Sequence, residues 1–411
     1  MRLLILSLLS LLILLLDFYC YKAIISVFKK WSANTKKGFA IIWWSINILL
    51  IIGVFAAIFL NLFLTARAII LVAFFLLTVG KVFMLPFLLI DDLRRLFIKI
   101  TNNKKSVKQP IAGEPISRSS FLVKAGLVTA AVPLSSLSWG IISGAYDYQV
   151  RHVKLILPNL PKAFDGIRMG QISDIHSGSF YNKTAVKGGV EMLLKEKPDF
   201  VFFTGDLVNN LTNEVKDYQD IFAKVKAPLG VYSTLGNHDY GDYYFGRESS
   251  PAKVKNLQDM IKVHQIMGYD LLMNENRRLK VDGEEIGILG IENWGMGRFP
   301  KYGKMEQAVK NTEDLPVKLL LSHDPSHWRG EVLEKYPDID AMFSGHTHGM
   351  QFGVRLKEMQ WSPVQYIYKE WAGLYKENHQ QLYVNVGYGF LGYPGRVGVL
   401  PEITIFELKR A

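Results

Sequence analysis

Residues 340–349 read DAMFSGHTHG, a short apolar run that ends in two histidines one residue apart and fenced by glycines. An apolar run of that length closed by a glycine reads as a buried strand entering a turn. The same pattern occurs four more times upstream. IRMGQIS (167–173) leads to Asp174, Ile175 and His176, and DFVFFT (199–204) leads to Gly205 and Asp206. LGVYSTL (229–235) leads to Gly236, Asn237, His238 and Asp239, and VKLLLS (317–322) leads to His323 and Asp324. Segments with helical spacing, 184–197 and 256–267, lie between several of these runs. Strands alternating with helices predict an α/β sandwich with its ligand site at the carboxyl ends of the strands, so all five polar clusters are expected on one edge.

The chemistry of that edge is specific. Asp174, His176, Asp206, Asn237, His323, His346 and His348 offer oxygen and imidazole donors and no thiolate. Such donors suit Mn, Fe, Zn or a similar divalent ion and exclude an iron–sulfur cluster. Seven ligands are too many for one tetrahedral site, but they fit two ions about 3.5–4 Å apart that share a carboxylate. Taken singly, each glycine is a turn residue and a lone histidine is more often a hydrogen-bonded structural group. Five clusters in series, holding five of the nine histidines in the chain, are not explained that way.

The rest of the chain is of another kind. The net charge of +11 falls wholly in residues 1–150, which hold 16 Lys and Arg against 5 Asp and Glu; residues 151–411 balance at 32 each. The basic excess therefore points to a membrane surface and not to nucleic acid. Three stretches, 3–21, 39–60 and 68–90, are long and apolar enough to cross a bilayer, which takes about 20 residues. A fourth, 125–146, is diluted by Ser, Gly and Pro133. The reading is thus a membrane region of three or four helices over 1–149, followed by a globular domain over 150–411.

Lys22, Lys29, Lys30, Lys36 and Lys37 follow the first stretch, and Arg94, Arg95, Lys99, Lys104, Lys105, Lys108 and Arg118 follow the third; Arg67 alone separates the second from the third. Loops rich in Lys and Arg stay in the cytoplasm. A spanning fourth stretch places the globular domain outside the cytoplasm, whereas one lying on the membrane leaves it inside. Asp17 and Lys81 fall within the first and third of these stretches, where an unpaired charge is costly; they either pair or reach separately for the interface. Cys20 precludes an internal disulfide framework, and the bulky Tyr19 before it argues for a helix residue over a lipid-modified cysteine.

The series DIH, GD, GNHD, H and GHTH, in that order, resembles the calcineurin-like metallophosphoesterases over essentially residues 150–411. The membrane segment and the tail with Gly387, Gly389, Arg396, Pro401 and Glu402 resemble their membrane-associated phosphodiesterase subgroup. The resemblance implies a four-layer αββα sandwich, with one divalent ion held by Asp174, His176 and His348, a second by Asn237, His323 and His346, and Asp206 bridging them. It further implies hydrolysis of a phosphate ester, first of all a phosphodiester, by a hydroxide bridging the two ions. His238 would protonate or stabilise the leaving oxygen, and Asp239 would orient His238. The membrane is the expected partner, with a phosphate-ester substrate that is lipid-linked or envelope-derived. Two alternatives stay open: a lipid-linked pyrophosphate hydrolase of the UDP-diacylglucosamine type, and a non-catalytic metal-binding membrane scaffold. Residues 117–122 also resemble a twin-arginine export signal, but Ser119 stands where the second arginine belongs, so a retained fourth helix is expected. Trp294 and the aromatic residues of 361–393 read either as a wall beside the metals or membrane interface, or as ordinary packing.

Overall fold

A computed structural model describes residues 2–28, 30–60, 64–103, 118–356 and 359–411 of the chain. Lys29, Lys104, Lys105, Lys108 and Ser117, used above for the basic loops and the export signal, lie outside the described residues. The chain divides into two compact units, Met1–Trp139 and Gly140–Ala411.

The first unit is helical: α1 (Arg2–Val27), α2 (Ala33–Phe59), α3 (Leu64–Asn103) and α4 (Ser120–Ile142). All four are long and apolar enough to cross a membrane. The serines that dilute α4 do not break it, because Ser135 Oγ and Ser136 Oγ each donate to a carbonyl one turn back, Ala131 O and Val132 O, at 2.8 Å. This satisfies hydroxyl groups that lipid could not. The sequence reading placed a loop directly after residue 90; instead α3 runs on through Arg94, Arg95 and Lys99. Ion pairs one turn apart, Arg94–Asp91 at 2.9 Å and Arg95–Asp92 at 3.0 Å, make this charged stretch helix-compatible. Asp17 and Lys81 form an ion pair, and Lys81 Nζ also donates to Asn47 Oδ1, so neither charge is left unpaired in the apolar bundle. Cys20 is fully buried beside Met84, Leu88 and Val123, as a helix residue should be.

The second unit is built on β1 (Gln149–Leu157), β2 (Arg168–Ile172), β3 (Phe200–Phe203), β4 (Val231–Ser233), β5 (Asp270–Leu271), β6 (Glu275–Val281), β7 (Glu284–Gly290), β8 (Lys318–Leu321), β9 (Ala341–Ser344), β10 (Val354–Arg355), β11 (Gln360–Trp361), β12 (Gly373–Glu377), β13 (Gln380–Val384) and β14 (Glu402–Arg410). One six-stranded sheet has the order β1-β14-β2-β3-β4-β5, the other β12-β13-β9-β8-β7-β6, and β10 pairs with β11 alone. Within them β2, β3 and β4 are mutually parallel, as are β7, β8, β9 and β13.

The two-residue period of the strands sorts their side chains into layers. Phe200 and Phe202 of β3, Leu319 and Leu321 of β8, Phe343 of β9 and Phe406 of β14 share one core between the sheets. Their neighbours Val201, Phe203 and Ile405 belong to a second core with Val186, Val190 and Leu193 of the helix Lys183–Lys195 and Met260 and Met267 of the helix Pro251–Met267. On the far side, Leu320, Met342, Leu382 and Val384 pack with Trp328 and Val332. Three cores separate four layers, helix, sheet, sheet and helix, so the expected αββα architecture is what the strands build. Each large apolar side chain so buried contributes roughly 1.5–3 kcal/mol.

Both outer helices start on side-chain caps. Asn182 Oδ1 accepts from Ala185 N at 3.1 Å, and Ser250 Oγ accepts from Lys253 N at 3.3 Å just before Pro251. The five strands that carry the polar clusters are divided between the sheets, β2, β3 and β4 in one and β8 and β9 in the other, and their ends meet at one edge of the sandwich. Apolar strand patterns are identical in both sheets, so periodicity does not tell which sheet a strand joins.

Candidate metal centre

The turns that leave β2, β3 and β9 are strained in the same way. Asp174, His176, Asp206, His346 and His348 all have positive φ, between 48° and 71°. For residues other than glycine this costs of order 1–3 kcal/mol each, and such strain collects at functional sites. Adjacent turns are tied together by their backbones: Asp174 N–H donates to Gly205 O at 2.9 Å, and His176 N–H to Asp206 O at 3.1 Å. The Asp174 carboxylate accepts His346 N–H at 2.9 and 3.0 Å, which locks β2 of one sheet to β9 of the other.

The side chains then converge. Asp174, His176 and His348 form one group of donor atoms lying within 4.8 Å of one another, and Asp206, His323 and His346 form a second. In the first, His348 Nε2 is 3.2 Å from Asp174 Oδ1 and 3.0 Å from His176 Nε2. In the second, His346 Nδ1 is 2.8 Å from Asn237 Oδ1 and 3.3 Å from His323 Nε2. Asp206 Oδ2 lies between them, 3.5 Å from His176 Nε2 and 3.1 Å from His323 Nε2. All seven residues read from the sequence as ligands are thus brought together.

The surroundings fix which atom of each faces inward. His323 Nδ1–H donates to Thr204 O at 2.7 Å, which makes Nε2 the atom that faces Asp206. Asn237 Nδ2 donates to the Tyr243 hydroxyl at 2.9 Å, so Oδ1 is the atom turned to His346. His346 Nε2 is 2.8 Å from the Tyr368 hydroxyl, and this reserves Nδ1 for the centre. Arg396 is fully buried and donates to Gly389 O at 2.6 Å and Val386 O at 2.8 Å, pinning the glycine-rich tail beside His348.

Charge balance is the test of whether a cation fits. Burial would raise Asp174 and Asp206, but the histidines around them hold both carboxyls below their ordinary range. Burial pulls His176 down to about 3, so it stays neutral. Burial also opposes a proton on His323, yet the Asp206 carboxylate overcomes it and pushes His323 up to about 10. Two buried carboxylates face the imidazoles here, and among the described residues His176 Nδ1 has no hydrogen-bond partner. A buried centre of oxygen and imidazole donors suits divalent cations, which would displace the His323 proton on binding.

His238 and Asp239 stand differently from expectation. His238 Nδ1–H donates to Asn209 O at 2.6 Å, and its ring stacks on Tyr243 at 4.4 Å. Asp239 does not touch the His238 ring, which corrects its expected orienting role. Its carboxylate instead accepts four backbone N–H groups, those of Asp206, Leu207, Val208 and Gly236, between 2.8 and 3.3 Å. Residues 237–240 form a turn, and the Asp239 side chain enters the neighbouring turn after β3. Trp294 packs against His327 at 4.6 Å in the outer core and away from the ligands. The aromatic residues of 361–393 divide: Trp371, Tyr383, Tyr388 and Phe390 are buried, Tyr366 is exposed, and Tyr368 reaches the centre. Tyr243, Asn209 and the role of Tyr368 were not legible beforehand; aromatic density pointed to the region of Tyr368 and to no single residue.

Gly345 has no room for a side chain. A Cβ there would lie 2.0 Å from both Asp174 Oδ2 and Ser173 Oγ. Gly345→Ala is expected to displace the Asp174 carboxylate, lower stability by about 1–3 kcal/mol and reduce bound metal. Thermal unfolding together with elemental analysis of the purified variant checks both.

Comparison with known proteins matches this arrangement to a family. Residues 1–145 match the family model described as the transmembrane domain of a probable calcineurin-like phosphoesterase, and residues 167–350 match that of the calcineurin-like phosphoesterases. A transmembrane protein with metallophosphoesterase domain from Danio rerio is 27% identical over 322 residues, covering 76% of this chain and 68% of its own. The uncharacterized metallophosphoesterase YkuE of Bacillus subtilis is 29% identical over 255 residues, covering 61% of this chain and 82% of its own.

Proposed function

Since the chain is a membrane protein of the calcineurin-like phosphoesterases, we propose that it hydrolyses a phosphate ester, first of all a phosphodiester, at a centre of two divalent ions in residues 150–411. Asp174, His176 and His348 would hold one ion, Asn237, His323 and His346 the other, and Asp206 both. The observation that supports this reading is the single Asp206 oxygen within 3.5 Å of one histidine of each group. Bound there, divalent ions lower the pKa of water from about 15.7 towards 7 and neutralise phosphate charge.

The protein residues supply the rest. Carboxylates and imidazoles on two rigid sheets fix the position of the phosphoryl group, which is the larger part of catalysis by positioning. His238, protonated on both nitrogens, delivers the Nε2 proton to the leaving oxygen and is left neutral, with Nδ1–H still held by the Asn209 carbonyl. Tyr243, stacked on that ring, keeps it in place. The substrate is a phosphate ester presented at the membrane. With four spanning helices and the basic residues that follow the first and third apolar stretches in the cytoplasm, the catalytic unit lies outside it. Reporter fusions at residue 150 and at the C-terminus should show external location; a cytoplasmic C-terminus would overturn this topology.

The full chain in detergent, stripped by chelation and resupplied with Mn, Zn, Fe or Mg in turn, is expected to hydrolyse bis-p-nitrophenyl phosphate only after resupply. Silence under every ion, with the ions bound, would leave a metal-binding scaffold as the function.

A further inference from the structure

A cleft of about 260 Å³ adjoins the metal centre, with Asn237 in its wall. Its other residues include Asp242, Tyr243, Arg247, Arg298 and Phe299. Tyr243 stacks on His238 at 4.4 Å, and Phe299 meets His346 edge-on at 5.1 Å, so the cleft opens directly beside the residues that would hold and protonate a phosphate ester.

Its charge is unbalanced. The one carboxylate, Asp242, is already neutralised: Lys253 Nζ lies 2.6 Å from Oδ1, and the Tyr302 hydroxyl donates to Oδ2 at 2.9 Å. Among the described residues no carboxylate pairs with Arg247 or Arg298. Arg247 Nη2 donates to Arg298 O at 2.6 Å, clasping the two loops that bear the guanidinium groups. Lys253 Nζ, through Gly246 O at 3.0 Å and Arg247 O at 3.1 Å, holds the Arg247 loop from beneath. Two uncompensated guanidinium groups on clasped loops form a site for a dianionic, tetrahedral partner, since planar guanidinium forks match phosphoryl oxygens.

We infer that this cleft binds a second phosphoryl group of the substrate, beyond the one at the metal centre. The inference rests on the proposed phosphoesterase reading and narrows it to substrates bearing two phosphoryl groups. Arg247 and Arg298 are specificity residues in this account and take no part in bond breaking.

The test reads binding and not turnover. Imidodiphosphate and inorganic phosphate are titrated by calorimetry into the full, metal-loaded chain in detergent, with free metal held constant. Imidodiphosphate should bind at least about tenfold more tightly than phosphate, and the R247A/R298A double variant should bring that advantage to about threefold or less. The R247K/R298K pair, which keeps charge but not the planar fork, should fall between the two. An advantage absent from the wild type, or intact in the alanine double variant, overturns the cleft assignment. Failure of the hydrolytic reading would appear elsewhere, as metal-loaded protein inert toward bis-p-nitrophenyl phosphate.

Discussion

Asp206→Asn is expected to cost the protein both ions, weakening metal affinity by at least about 100-fold and turnover by about 1,000-fold or more. The substitution changes almost nothing but charge. Asparagine has the shape of aspartate, its side-chain oxygen can still accept the His238 N–H now bonded at 2.8 Å, and its own backbone N–H still reaches Asp239. What it removes is the negative oxygen placed between His176 and His323. Because one atom serves both groups, the loss should strike both ions together, whereas removal of a ligand such as His348 should weaken one ion first. Elemental analysis after dialysis reads the difference. An Asp206→Asn protein that holds two ions at wild-type affinity would remove Asp206 from the bridge.

His238→Ala should do the opposite: metal content near that of the wild type, and turnover lower by about 10²–10⁴. The separation follows from which atoms do what. The His238 contact with the Asp206 carboxylate is through its backbone N–H, which alanine keeps. Its imidazole is bonded to the Asn209 carbonyl and stacked on the Tyr243 ring, and it meets the proposed ligand His176 only edge-on, with ring centroids 5.0 Å apart. If the ring is the proton donor, the loss should also depend on the leaving group, being larger for an alkoxide than for p-nitrophenolate, which departs without help. Loss of both ions in this variant would move His238 into the ligand shell, and an equal loss for both leaving groups would deny it the role of acid.

The ligand set was legible because each strand-ending motif couples a strong periodic signal to a polar turn. The polar residues of FSGHTHG and of the four turns like it are the ones that converge in space. The alternation of strands with helices pointed to a sandwich and the family resemblance to its four layers, in which Phe200 and Phe202 face one core and Val201 and Phe203 another. Other features depend on contacts that sequence spacing does not encode. The assignment of β8 and β9 to a separate sheet is a matter of pairing partners, and α3 continues past residue 90 through local ion pairs where charge alone suggested a loop. Adjacency in the sequence makes Asp239 the expected partner of His238. Only the direction of its side chain reveals that it holds the turn after β3. Tyr368, 22 positions from His346 in the chain, reaches it across a loop for which no local pattern exists.

The central claim is that chemistry requires both groups to be filled. Metal-stripped full-length protein is titrated with Mn while bound ions and hydrolysis of bis-p-nitrophenyl phosphate are followed together. The account predicts that activity rises with the second ion and levels off at two per chain. Full activity at one ion per chain, or two ions bound with none, would contradict it.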